Sequence, residues 1–328
     1  MDDPPFRSKF KSVTAAEVSS SGQGHAKRAT SVAWNASGSK LASASRDTTA
    51  KIWKLDPQGN ARLNTTLTGH TDYVESVKWH PLKNDVLCTA GNKCVKAWDA
   101  RSGKPSHSIE LAGHPLHLAW NPDGKCVAVS TKENNVSFYD TRQWKKIKGV
   151  KFSYDIHHFD WALNAETLFF GVENGTGGQL EIMTYRKAGL TKEVQLQVHT
   201  APCTALAVDP LCRYVATGGE EALVVIWDLE EFTSKSTIDF HKSWIRSLCF
   251  SSAGEYLATA SKEGSVIHSM ASGEAAHRID APLNEVAWHP AQLVLAGASN
   301  LDPIEPSNSW GGSSARRDSG IRVWSFRE

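Results

Sequence analysis

Long apolar runs are missing from this sequence. No stretch approaches the roughly 18 consecutive apolar residues of a membrane-spanning helix, and no charged segment followed by an apolar one opens the chain as a secretory leader would. Neither secretion nor a membrane location is therefore expected. Charge of one sign is missing too: 36 Lys and Arg balance 35 Asp and Glu, leaving a formal net charge of +1. A protein that grips nucleic acid along a broad surface is usually far more basic, so any RNA contact is expected to be indirect or weak. Cysteines are few. Cys88, Cys94, Cys126, Cys203, Cys212 and Cys249 form no C-x-x-C pair and no zinc spacing. Four of them lie in apolar stretches and read as reduced core thiols. The sequence also lacks G-x-S-x-G, a P-loop and a cluster of metal ligands. The expectation is a non-enzyme with no catalytic residue, no cofactor and no metal.

Tryptophan is what the chain has in quantity, with 12 residues. Its placement exposes a repeat. Seven short segments end in an aromatic or apolar anchor: Trp34, Trp79, Trp120, Trp161, Val208, Phe250 and Trp288. Their spacing of about 38 to 47 residues is the period of a four-stranded propeller blade. In five repeats a second anchor follows about 19 residues on, pairing Trp34 with Trp53, Trp79 with Trp98, Trp120 with Tyr139, Val208 with Trp227 and Phe250 with Ser269. Between them run strands of alternating small and apolar residues, such as Leu41 to Ser45 and Tyr214 to Gly218. That pattern suits a sheet squeezed between neighbours, where one face must be slim. Turn residues such as Asn121-Pro122-Asp123-Gly124 separate them.

The resulting expectation is an all-β, seven-bladed propeller spanning residues 23–328, preceded by an N-terminal segment, 1–22. Trp324 is followed only by Ser325 to Glu328, too short for a fourth strand. The missing outer strand of the last blade is expected from Lys11 to Ser19, which would close the ring and remove its open edges. Blade four carries about three extra residues near Gly175-Thr176-Gly177-Gly178, and blade seven about 17 within a Ser-, Gly- and Pro-rich loop over 299–319.

Gly24-His25, Gly69-His70, Trp98-Asp99 and Trp227-Asp228 resemble WD40 repeats. The resemblance implies a buried network of histidine, hydroxyl, turn aspartate and tryptophan, placed here on His25, Ser43 or Ser45, Asp47 and Trp53. His70 with Trp98, His199 with Trp227, and His241 extend it to other blades. Such a network fixes strand register only if every member is satisfied. His114 precedes its anchor by about six residues instead of about nine, so Leu111 takes the histidine place in blade three. Phe152 and Ile279 take it in blades four and seven, which should be held by apolar packing. The chain further resembles the THO complex subunit 3 family over nearly its whole length. The resemblance is strongest from Cys203 to Ala298, through Asp209-Pro210, Ala216-Thr217-Gly218, Ala222-Leu223-Val224, Trp227-Asp228-Leu229-Glu230-Glu231 and Trp244-Ile245-Arg246-Ser247-Leu248. It implies a nuclear THO/TREX subunit that couples transcription to mRNA processing and export, docked on a large helical scaffold subunit and other THO/TREX subunits.

Partner contacts are expected where loops open on one face. Six residues before each first anchor stand Arg28, Tyr73, His114, Asp155, Pro202, Trp244 and Pro282. Of these, Arg28, Tyr73, His114 and Trp244, together with Trp310 in the blade-seven loop, are candidate partner contacts. The aromatics equally suit packing on a neighbouring loop. Arg316-Arg317-Asp318-Ser319 resembles a basophilic kinase site. The basic run Arg142, Lys145, Lys146, Lys148 and Lys151 reads either as a phosphate patch or as lysines guarding an edge strand. His157-His158 reads as a satisfied strand pair. Trp98-Asp99-Ala100-Arg101 and Tyr139-Asp140-Thr141-Arg142 resemble the W-D-x-R signature of a cullin-type ubiquitin ligase receptor, the alternative function.

Overall fold

The computed structural model describes residues 10–17, 24–55, 61–186, 189–301 and 320–327. They form seven four-stranded antiparallel sheets, the blades of a closed propeller. Blade one holds Ala29–Trp34, Lys40–Ser45, Ala50–Leu55 and Ala61–Leu67, from the channel outward. Blades two to six repeat the plan. Blade seven takes its inner three strands from the end of the chain and its outermost strand, Ser12–Glu17, from the beginning. That strand pairs antiparallel with Ile321–Arg327, Ser12 opposite Arg327 and Glu17 opposite Arg322. Phe10, just before it, is buried against Tyr256 and Phe326, with ring centroids 5.2 and 4.9 Å away. The first segment thus ties blade seven to blade six.

Both faces of a blade press on neighbours, so a second strand such as Cys126–Thr131 is buried throughout, whereas an outermost strand such as Lys104–Glu110 is mostly exposed. Seven hydrophobic clusters result, one at each junction. Trp53 packs between blades seven and one, and Trp98 between blades one and two. Burying such rings removes large apolar areas from water and makes each blade depend on the next. Leu111, Phe152 and Ile279 lie in these clusters. No disulfide joins the six cysteines.

Two regular features stitch the blades with hydrogen bonds. Every inner strand carries a bulge near its start, at Thr30, Glu75, Leu116, His157, Thr204, Arg246 and Asn284. A bulge re-aims the extra side chain, here toward the next blade. Thr30 Oγ1 donates to the Val74 carbonyl at 2.5 Å, Thr204 Oγ1 to Ile245 at 2.6 Å and Asn284 Nδ2 to Ala29 at 2.8 Å. At the other end of the strands the stitches run backwards. The indoles of Trp34, Trp79 and Trp120 donate to the carbonyls of Ala287, Ala33 and Lys78 on the preceding blade.

Two expectations change and one is met. In blade six the residue opposite Leu257 is His268, the place that Trp53 holds opposite Leu41 and Trp227 opposite Val215. His268, not Ser269, therefore replaces the tryptophan. The turn between the paired residues Ala260 and Ser265 is one residue shorter than that between Ala44 and Ala50, which a constant count of 19 overlooks. Blade four's extra residues fall where expected, lengthening the hairpin around Gly175 to Gly177 by the pairs Val172–Gln179 and Glu173–Gly178. Finally, His157 is a bulged residue and the buried His158 Nδ1 has no partner, so the two are not a satisfied strand pair.

Candidate docking face

Loops between outer and inner strands and those between second and third strands meet on one face. Arg46 N donates to the Arg28 carbonyl, Lys132 N to His114, Glu220 N to Pro202 and Asn300 N to Pro282. What holds these loops is the polar network beneath them. In blade one the Ser43 hydroxyl lies 2.8 Å from His25 Nε2 and accepts from Trp53 Nε1 at 2.9 Å. His25 Nδ1 lies 2.8 Å from Asp47 Oδ2, which also accepts from Ala26 N. Asp47 Oδ1 accepts from Thr49 N and Oγ1. Burial alone would raise the Asp47 carboxyl, but His25, Thr49 and Ala26 N hold it far below the usual carboxylate range. Burial lowers the His25 pKa despite the opposing Asp47 charge. Ser45 belongs to the turn instead, donating to the Lys27 and Arg28 carbonyls.

Other blades keep parts of this plan. Thr89 joins His70 at 2.7 Å to Trp98 at 2.8 Å, and burial takes His70 down to about 4. Gly69 precedes it at φ +138°, a conformation side-chain-bearing residues rarely adopt. In blade five Thr217 joins His199 and Trp227, and His199 Nδ1 lies 2.6 Å from Glu221. In blade six His241 reaches Thr259 at 2.7 Å, but His268 stands nearby with both ring nitrogens buried and unpartnered. Burial, then the His241 charge, takes His268 to about 3.

Above the network, the structure brings some candidate contacts together and separates others. Tyr73 and Trp244 are 39% and 41% exposed, enough to offer one ring face each. Arg46 and Lys27 lie over the Tyr73 ring at 5.1 and 5.7 Å. Arg246 lies over Trp244 at 5.1 Å, its Nη1 held by Asn284 Oδ1 and Asn300 Oδ1 at 2.6 and 2.8 Å. Burial and the nearby Arg28 charge both lower the Arg246 pKa. His114 is exposed at the start of blade three, one blade on from Tyr73 and beside Glu133. Trp310 and Ser319 lie outside the described residues. Sequence reasoning missed Arg46, Arg246 and Asn284 as members of this face. Only the recurrent bulge could have pointed to the last two, and it leaves no trace in residue type.

The channel holds another polar group, around a cavity of about 450 Å³. Lys78 Nζ meets Glu285 Oε1 at 2.6 Å, and Glu285 Oε2 accepts from Val32 N at 3.0 Å. Burial works against the Lys78 charge, but Glu285 raises its pKa overall. His117 and His158 face each other with centroids 4.0 Å apart, and burial takes His158 to about 3. Burial pushes the Cys249 thiol up to about 11. Burial also raises the pKa of Asp160, which lines the same cavity. Arg101 folds back onto Asp99, Nη2 to Oδ2 at 2.9 Å, and Arg142 is exposed.

Models of the WD domain, G-beta repeat, match residues 16–54, 61–99, 191–228 and 232–268, and a model of the anaphase-promoting complex subunit 4 WD40 domain matches 111–164. The chain is 36% identical over 296 residues to THO complex subunit 3 of Arabidopsis thaliana, covering 89% of this chain and 91% of that one. It is 28% identical over 304 residues to WD repeat-containing protein AAC3 of Dictyostelium discoideum, covering 85% of this chain and 63% of the relative. Coronin-7 of Rattus norvegicus is 36% identical over 111 residues, 31% of this chain and 12% of its own.

Proposed function

The chain belongs to the THO complex subunit 3 family of WD40 propellers, and from that premise we propose that it is a non-enzymatic nuclear scaffold of a THO-type assembly. In this reading it docks on a large helical subunit and helps couple transcription to mRNA processing and export. The observation that carries the reading is similarity along the whole ring rather than in single repeats. A match confined to a few blades would speak only for the fold, which serves many functions. The geometry agrees. The histidines and carboxylates that resemble catalytic groups are engaged in holding loops, and the loops present aromatic rings beside cations. Such side chains dominate protein interfaces.

The test is purification of the tagged full chain from nuclear extract with nuclease added, followed by mass spectrometry. A large helical THO subunit in near-equal amount is the expected result. A cullin adaptor in its place would overturn the reading and turn attention to Arg101 and Arg142.

A further inference from the structure

Cations predominate on one part of the loop face, although Asp72, Glu263 and Asp280 lie there too and the chain as a whole is nearly neutral. Over blades three to five the loops carry Glu133, Asp155, Glu173, Glu220 and Glu221 against Lys132. Over blades six to two a continuous arc runs from Trp244 and Arg246 through Arg28 to Arg46, Lys27 and Tyr73. Among the described residues no carboxylate forms an ion pair with Lys27, Arg46 or Arg246. Arg246 is nonetheless held in place by two amide oxygens, so its charge is positioned before any partner arrives. Each guanidinium lies over a ring, and a weakly hydrated guanidinium is a favoured partner of a carboxylate at an interface.

We propose that this arc is the docking surface for an acidic peptide segment of a partner protein, with carboxylates meeting Arg46 and Arg246 and an apolar or aromatic side chain meeting Tyr73 or Trp244. Charge complementarity selects the sign of the partner. Extent selects its class. A nucleic-acid strand carries a charge at every nucleotide and would run from the arc onto the acidic blades, whereas a short acidic segment ends within it. Two rings on separate blades, each with a cation on one side, provide separate anchor points of the kind that concentrate interface energy. The proposal rests on the docking reading above and names the chemistry of one docked element.

The experiment uses the full chain at low ionic strength, where charge contacts are least screened. Fluorescence anisotropy follows three labelled probes: a peptide of about ten glutamates around one phenylalanine, its lysine counterpart, and a uridine RNA of about twelve nucleotides. The acidic peptide is expected to bind and the lysine peptide not. The double variant R46E/R246E should weaken acidic-peptide binding about tenfold or more, R46Q/R246Q less, and E173Q/E220Q over blades four and five should leave it unchanged. Far-ultraviolet circular dichroism and melting confirm that each variant is folded. Equal binding by wild type and R46E/R246E overturns the proposal, as does no acidic-peptide binding. Tighter binding of the RNA with the same arginine dependence also overturns it, and reassigns the arc to nucleic acid. Co-purification of the helical subunit is read separately. Its retention by R46E/R246E leaves scaffold docking intact on another face, and its absence from wild type overturns the docking reading itself.

Discussion

Ser43 shows how much one atom can hold. Its hydroxyl links His25 and Trp53, so Ser43→Ala leaves two buried nitrogens without partners. The expected cost is about 2–4 kcal/mol, from the penalty of each orphaned group, read as a lower midpoint in urea. His268 is the opposite case, with two nitrogens already unpartnered in the interior. Replacing it by an apolar side chain of similar size removes that penalty, and His268→Leu should raise the unfolding midpoint. The same histidines set an acid limit. His70 and His241 have folded pKa values of about 4 and His268 about 3, against roughly 6.5 in an unfolded chain. Below about pH 6.5 the unfolded chain takes up protons first, so stability is full above that pH and falls progressively toward pH 4. Melting temperature measured across this window should drop with acid, and drop less in His268→Leu.

At the scale of elements, strand ends matter more than strand middles. The bulged threonines each donate one bond to the next blade. Thr204→Val keeps the shape and loses the donor, with an expected cost of about 1 kcal/mol in a denaturant titration. The N-terminal strand has a larger task, since it covers the outer edge of blade seven. Deleting residues 1–17 exposes that edge and should cause concentration-dependent association on gel filtration. Phe10→Ala retains the strand but empties its anchor between blades six and seven. It should cost about 3 kcal/mol and leave the protein monomeric.

For the whole molecule, closure makes seven marginal sheets one body, and the loop face gains a pattern that no single blade has. Arg28 and Arg46 come from blade one, Tyr73 from blade two and Arg246 from blade six. Their joint effect is tested by R46E/R246E against acidic peptide, and scaffold membership by the partners that co-purify. Periodicity, seven anchors and the short tail after Trp324 were enough to read the ring, its blade number and its closure. Those depend on local pattern and on the need to pair every strand edge. The WD40 resemblance grouped His25, Asp47 and Trp53 of blade one but left the hydroxyl between Ser43 and Ser45, which only the backbone pairing assigns to Ser43. Tertiary structure alone decided the rest. A turn shortened by one residue moved His268 into the tryptophan place, since pairing follows backbone geometry and not a residue count. The bulges turned Arg246 and Asn284 toward neighbouring blades. The cation-rich part of the loop face arises only when distant repeats are brought side by side around the ring, because a sequence orders residues along one dimension while the closed propeller sets blade one beside blade seven.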